Sequence, residues 1–197
     1  MRKVIVNEFM TLDGVVQAPG GVDEDRDGGF EHGGWQMPYA DDIFGKAIME
    51  GMAQAGGYLL GRRTYQIFAS YWPTAPEEMQ DVARPLNELP KYVASTTLTE
   101  PLEWQNSTLL EGEVPDAVAA LKAESGKDIH MFGSGELVKT LTQHDLVDEH
   151  RLMLHPIVVG GGKRLFRDDG QRKLFRLVDS QISTTGVIMT TYEPAGD

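Results

Sequence analysis

Two segments of this chain share one pattern: YLLGRRTY at 58–65 and IHMFGSGELV at 129–138 each run from a short apolar stretch through glycine into residues with helical spacing. A strand that passes through a glycine turn into a helix is half of a βαβ crossover, and crossovers align strands in parallel. The pattern constrains the chain to an α/β fold with both turns at the carboxyl side of a sheet. Backbone N–H groups and the positive ends of helix dipoles gather there, and phosphates bind at that edge in open α/β folds.

The surrounding sequence continues the alternation. Lys3–Met10 is β-branched and short and reads as a first strand, ended by the turn residues of LDG at 12–14. Gln17–Gly34 is crowded with Gly and Asp and reads as a long loop. Apolar residues at Ile43, Phe44, Ala47, Ile48, Met52 and Ala55 predict a helix over 41–55, and a second helix begins at Arg62. Lys91–Ser95 and Ser107–Glu111 read as strands, a helix opens near Pro115, and Ile129–Phe132 is a strand followed by a helix from Glu136. Three extended runs at 148–160, 172–183 and 186–193 lack helical spacing between them. The expectation is one domain over residues 1–197, built on a mixed sheet with a parallel centre and antiparallel C-terminal strands at one edge.

Composition removes several function classes. With 30 acidic against 18 basic residues, the net charge of -12 repels nucleic acid and anionic lipid over most of the surface. The absence of cysteine excludes thiolate nucleophiles, disulfides, iron–sulfur clusters and Cys-ligated zinc. Five histidines, His32, His130, His144, His150 and His155, include no H-E-x-x-H pair, so no zinc site is expected. No apolar run reaches the ~20 residues of a membrane span, and MRKVIVNEFM lacks the features of a signal peptide, so a cytoplasmic location is expected.

At the first junction Arg62 and Arg63 offer guanidinium forks suited to phosphate oxygens, and Thr64 adds a hydroxyl in the first helical turn. GSGELV departs from the dinucleotide fingerprint at Val138, and VVGGGKRLF lacks both the first glycine and the Ser or Thr of a P-loop. Asp23, Asp25, Asp27 and Gly28 spell the opening of a calcium loop, but Gly34 stands where the bidentate Glu belongs. A flexible acidic loop is the simpler reading. No G-x-S-x-G elbow is present.

TLDG, LLGRRTY, YVASTT and MFGSGELVKTL, in this order, resemble the dihydrofolate-reductase-like superfamily. The chain is most similar to the C-terminal reductase domain of bacterial bifunctional riboflavin-biosynthesis deaminase-reductases, in stand-alone form. The resemblance spans roughly Lys3 to Tyr192. It implies an α/β fold whose largely parallel sheet carries NADPH across its carboxyl edge. By the same resemblance, Gly61, Arg62, Arg63 and Thr64 hold cofactor phosphates, including the adenosine 2'-phosphate. Ser95, Thr96 and Thr97 lie beside the adenosine half, and Gly133, Ser134, Gly135, Glu136 and Leu137 form the turn under the pyrophosphate. Val15 and Val16 match a backbone segment near the nicotinamide.

Asp13 matches an acidic position near the reacting end, with a turn-capping role as its alternative. Asp41 or Asp42 stands where dihydrofolate reductases carry a carboxylate on the first helix, with helix capping as the alternative. Trp35, Tyr65 and Trp72 would stack on a planar substrate or pack in the core. Lys163 and Arg164 are the basic residues outside the cofactor motifs that a ribose phosphate would use.

The implied activity is hydride transfer from NADPH to a C=N or C=O bond of a small heterocycle, as in 5-amino-6-(5-phosphoribosylamino)uracil reductase. Dihydrofolate reduction is the alternative within the fold, and a non-catalytic nucleotide- or calcium-binding module the alternative outside it. Apolar terminal strands at a sheet edge lead to the expectation of a homodimer.

Overall fold

The computed structural model describes residues 1–166 and 172–196. Eight strands form one sheet in the order β4-β3-β2-β5-β1-β6-β8-β7. They are β1 (Val4–Thr11), β2 (Gly57–Gly61), β3 (Lys91–Ala94), β4 (Ser107–Leu109), β5 (Ile129–Phe132), β6 (Glu149–His155), β7 (Phe175–Ile182) and β8 (Ile188–Pro194). Every pair from β4 to β6 is parallel, while β6–β8 and β8–β7 are antiparallel. The expected parallel centre with an antiparallel edge is therefore present. Of the three terminal runs, however, the first joins the parallel set, pairing Thr11 with His155 at its far end. The strand that closes the chain slots between β6 and β7 and satisfies both ladders.

Five α-helices accompany the sheet: α1 (Asp42–Gln54), α2 (Arg62–Tyr71), α3 (Gln80–Glu88), α4 (Val114–Ala123) and α5 (Gly135–Gln143). Helix α3 was not foreseen. Its nine residues bury Ala83 and Leu86 on one face, but they contain Pro85, which in a sequence reads as a helix breaker. Lys91, fully buried in β3, closes it: Nζ donates to the carbonyls of Leu86, Asn87 and Leu89 at 2.8, 3.1 and 2.9 Å. Burial lowers the pKa of this lysine to about 8. Three acceptors match the three protons of an ammonium group, so it remains charged at pH 7.

The alternation of β1 separates two cores. Val4 and Val6 join Val138, Leu141, Val118 and Leu121 in the cluster under α4 and α5. Phe9 faces the other way, toward Phe44 of α1. Each fully buried aliphatic side chain contributes about 1.5–3 kcal/mol, so this bilateral burial fixes the register of β1, the strand on which the site is built. β7 is exposed along most of its length, including Leu177, Val178 and Ile182. No helix among the described residues is long and apolar enough to cross a membrane.

Candidate functional site

Parallel order brings the carboxyl ends of β3, β2, β5 and β1 to one edge in that sequence. They carry, in turn, Ser95–Thr97, Gly61–Thr64, Gly133–Leu137 and the turn from Thr11 to Val16. Four neighbouring strands cover three inter-strand spacings, roughly 14 Å. The segments that the resemblance assigns to one extended cofactor thus form a continuous row.

The two glycine turns are joined directly. The Gly61 amide donates to Ser134 Oγ at 2.9 Å, and the Ser134 amide donates to Thr64 Oγ1 at 2.9 Å. Gly133, at φ +59°, takes a backbone conformation that side chains disfavour, and a Cβ there would crowd Thr64 Oγ1 at 3.2 Å. Ser134 itself adopts the left-handed region at φ 63°, strain that its two bonds offset. Neither Gly61 nor Ser134 caps its own helix with a side-chain acceptor. The first turns of α2 and α5 thus point side by side out of the sheet edge, in the arrangement that favours an anion. The donor set suits a phosphate group. At the next strand, Ser95 Oγ folds its turn by accepting from the amides of Thr97 and Leu98 at 3.1 and 3.0 Å.

The two arginines have different surroundings. Arg62 is exposed and its guanidinium donates to the neutral Gln66 one turn along, at 3.1 Å. Arg63 forms ion pairs with Asp25, at 2.7 Å, and with Asp27. Lys163 Nζ meets the same two carboxylates at 2.8 and 2.9 Å. Burial alone would raise the Asp25 pKa, but the Lys163 hydrogen bond, the Asp27 amide and the two cationic charges outweigh it and hold the group ionised. The calcium alternative is corrected here. Asp25 and Asp27 turn to Arg63 and Lys163, Asp23 pairs with Arg26, and no three metal-ligating side chains converge among the described residues.

Asp13 is a clip between two loops. Its Oδ1 accepts from Thr11 Oγ1 at 2.6 Å and from the Val159 amide at 3.3 Å, and Oδ2 accepts from the Gly160 amide at 2.9 Å. Partial burial would raise its pKa, but the Thr11 hydroxyl and the two amides outweigh that and leave it lowered. These donors hold the carboxyl in its ionised form. The backbone of Val15 is spent on Thr11, and the Val16 amide donates to the Lys163 carbonyl at 2.9 Å. Val16 packs close to Gly135, where a Cβ would lie 3.4 Å from its Cγ2.

Asp41 and Tyr65 take the structural alternatives, capping and core packing, Trp72 packs against the core, and Asp42 stays in solvent. Asp41 is the N-cap of α1: Oδ1 accepts from the Phe44 amide at 2.7 Å, and Oδ2 accepts from the Thr184 amide and hydroxyl at 2.6 Å each. Those bonds, the Thr184 hydroxyl first, lower its pKa to about 2. Asp42, the first helical residue, is exposed. Tyr65 is buried and its hydroxyl accepts from the Trp104 amide at 3.0 Å. Trp72 packs edge-on against Phe68 and Tyr71 in the same core. Local donors engage Asp41 and the Tyr65 hydroxyl, and the core takes the Tyr65 and Trp72 rings, while Asp42 faces solvent.

Trp35 is buried as well, with its indole N–H donating to the Gln17 carbonyl at 2.8 Å. It stands 5.1 Å edge-on from His155, which Phe9, Tyr39 and Phe44 also surround. His155 was not singled out from the sequence. Burial lowers its pKa, against the opposing pull of the Met153 and Met10 carbonyls, so a neutral imidazole sits at the end of β6 beside Thr11. A cavity of about 550 Å³ lies next to this wall, lined by Asp27, Phe30, His32, Val159, Gly162 and Lys163 among others.

A parallel sheet with two phosphate-suited helix N-termini at its carboxyl edge and two antiparallel strands beyond defines the dihydrofolate-reductase-like fold. Residues 2–189 match the family described as the RibD C-terminal domain, and the chain belongs to that family. It is 28% identical over 193 residues to the uncharacterized protein YyaP of Bacillus subtilis (strain 168), covering 97% of this chain and 94% of that one. Three solved structures share the fold. A putative riboflavin biosynthesis protein from Shewanella sp. PV-4 has TM-score 0.69 at 24% identity, covering 98% of this chain and 99% of that one. A pyrimidine reductase-like protein from Corynebacterium diphtheriae has TM-score 0.68 at 13% identity, covering 100% and 93%. Dihydrofolate reductase from Enterococcus faecalis, complexed with NADP(H) and RAB-propyl, has TM-score 0.61 at 13% identity, covering 98% and 97%.

Proposed function

We propose that this chain is an NADPH-dependent reductase acting on a C=N or C=O bond of a small heterocyclic substrate. The observation that carries the reading is the pair of cross-bonded turns, Gly61 with Ser134 and Ser134 with Thr64, which holds two helix N-termini together as one anion cradle. Membership in the RibD C-terminal family, and the NADP(H) named for the Enterococcus faecalis enzyme of the same fold, support a nicotinamide cofactor. Gly61–Thr64 and Gly133–Leu137 would hold its phosphates, Ser95–Thr97 would border the adenosine, and Val15 and Val16 would back the nicotinamide. The reduced nicotinamide supplies hydride; the chain supplies orientation and exclusion of water.

Asp13 does its part through charge. An ionised carboxylate beside the reacting end would favour the iminium formed when solvent protonates a C=N nitrogen; hydride then adds to the carbon, and the C=N electron pair becomes the lone pair of the amine nitrogen. Asp41 is committed to Phe44 and Thr184, which leaves Asp42, exposed on the first turn of α1, as the first-helix carboxylate that dihydrofolate reduction would call on. The reading is tested by following NADPH absorbance with pyrimidine, pterin and folate substrates in parallel. Oxidation with a substituted aminopyrimidine and none with dihydrofolate is the expected pattern.

A further inference from the structure

Arg63 sits where the proposed phosphate site meets the acidic loop, and its terminal nitrogens are already engaged: NH1 with Asp27 and NH2 with Asp25. Those are the paired donors that a guanidinium presents to a phosphate. Lys163 closes the square on the same carboxylates, so two cations and two anions cancel locally. Asp25 is only 8% exposed, so its pairs are poorly screened by solvent. One residue earlier, Arg62 has no acidic partner among the contacts described and rests on Gln66.

We propose that Asp25 and Asp27 are an internal competitor for the anion-binding face of Arg63, so that a phosphate ester and the acidic loop exclude each other there. The inference rests on the reading of the α2 turn as a cofactor-phosphate site. A ligand phosphate that takes Arg63 separates it from both carboxylates, and the loop at 23–29 is then held by Lys163, by Gln17, whose Nε2 donates to the Asp25 and Asp27 carbonyls at 3.0 Å each, and by the Gly20 and Gly21 amides on Glu24. Asp27, Gly28, Gly29 and Lys163 also wall the 550 Å³ cavity. Displacing the loop therefore reshapes that cavity, and phosphate binding on α2 is coupled to it. The apparent dissociation constant is the intrinsic one divided by the fraction of molecules in which Arg63 is released. The acidic pair thus weakens and tunes phosphate binding rather than assisting it.

Titration calorimetry of the full chain compares wild type with the double variant Asp25→Asn/Asp27→Asn, using NADPH, adenosine 2'-monophosphate and ADP. The expected result is roughly tenfold tighter NADPH binding by the variant. Tightening of adenosine 2'-monophosphate assigns Arg63 to the 2'-phosphate, and tightening of ADP assigns it to the pyrophosphate. Asp27→Asn alone, at the more exposed carboxylate, should give an intermediate gain and guards against misfolding of the double variant. Hydrogen exchange on the wild type adds an independent reading, with protection at 23–29 expected to fall when NADPH is added. Equal or weaker NADPH binding by both variants, or a rise in protection at 23–29, overturns the competition while leaving the cofactor reading standing. A wild type that binds no NADPH overturns both.

Discussion

Ser134 Oγ lies 2.9 Å from the amide nitrogen of Gly61, and that contact joins two turns 73 residues apart in sequence. Thr64 answers it from the other side by accepting from the Ser134 amide. The cradle is thus a single unit held by two short side chains. Ser134→Ala leaves the Gly61 amide without its acceptor and should lower stability by about 1 kcal/mol. It should also raise the dissociation constant for NADPH several-fold, since the two helix N-termini lose their alignment. A thermal melt with a parallel titration checks both, and unchanged cofactor affinity would detach this bond from the site.

Asp13 fastens the TLDG turn to the loop after β6 through Val159 and Gly160. Asp13→Ala should release that loop, with a loss of about 1–3 kcal/mol for amides and a hydroxyl left unpaired. Amide exchange at Val159 and Gly160 should accelerate. Asp13→Asn keeps one acceptor, loses the charge and sets an NH2 against the other amide, so turnover should drop while exchange rises at one of the two amides only. Near wild-type turnover in Asp13→Asn, with the loss confined to Asp13→Ala, would assign Asp13 a purely structural role.

His130 and His150 are buried neutral, and burial lowers both pKa values to about 4, with Arg151 adding to the effect at His130. In the unfolded chain they titrate near 6.5. Between those values the unfolded state binds more protons, so stability rises with pH there; it is complete above about 6.5 and lost toward pH 4. The loss approaches about 3 kcal/mol per histidine. Glu8 acts in the opposite sense. Burial raises its pKa well above 4.5, so the unfolded state releases its proton first and Glu8 costs stability as pH rises from that value. Melts between pH 4 and 7 should show Glu8→Gln gaining stability at pH 7 and little near pH 4. An identical gain at both ends would contradict the assignment.

Most of the fold was legible because its signals are local. Glycine after a short apolar run marked β2–α2 and β5–α5, and β-branched residues marked β1. Helix α3 escaped because its closure depends on Lys91, a buried cation contributed by the next strand. The edge order β6-β8-β7 escaped because nothing in a strand's own residues states which neighbour it will pair with. At the site, each glycine turn was legible locally, while their adjacency depends on β5 lying between β2 and β1, which chain order does not state. The destinations of the carboxylates were not legible either. Asp41 turns to Thr184 and Asp25 to Arg63, partners 143 and 38 residues away, and only the folded chain brings them together. The opposite charges of the D-x-D-x-D loop and the Arg pair were the available signal for the second of these.

Leu177, Val178 and Ile182 stand in solvent on β7, the last strand of the sheet. If the chain self-associates through this edge, as the apolar terminal strands lead one to expect, Ile182→Lys should shift a dimer to monomer in sedimentation at micromolar concentration. A monomeric wild type, or a dimer that the substitution leaves intact, would move the interface elsewhere or remove it.

The central claim is that the turns of β2 and β5 together clasp a phosphorylated nicotinamide dinucleotide. Fluorescence titration of the intact protein with NADPH and NADH tests it most directly, alongside a variant in which Arg62 and Arg63 are both alanine. NADPH should bind at least about tenfold more tightly than NADH, equivalent to about 1.4 kcal/mol, and the double variant should lose that preference. Equal affinity for the two dinucleotides, or no binding of either, would contradict the account.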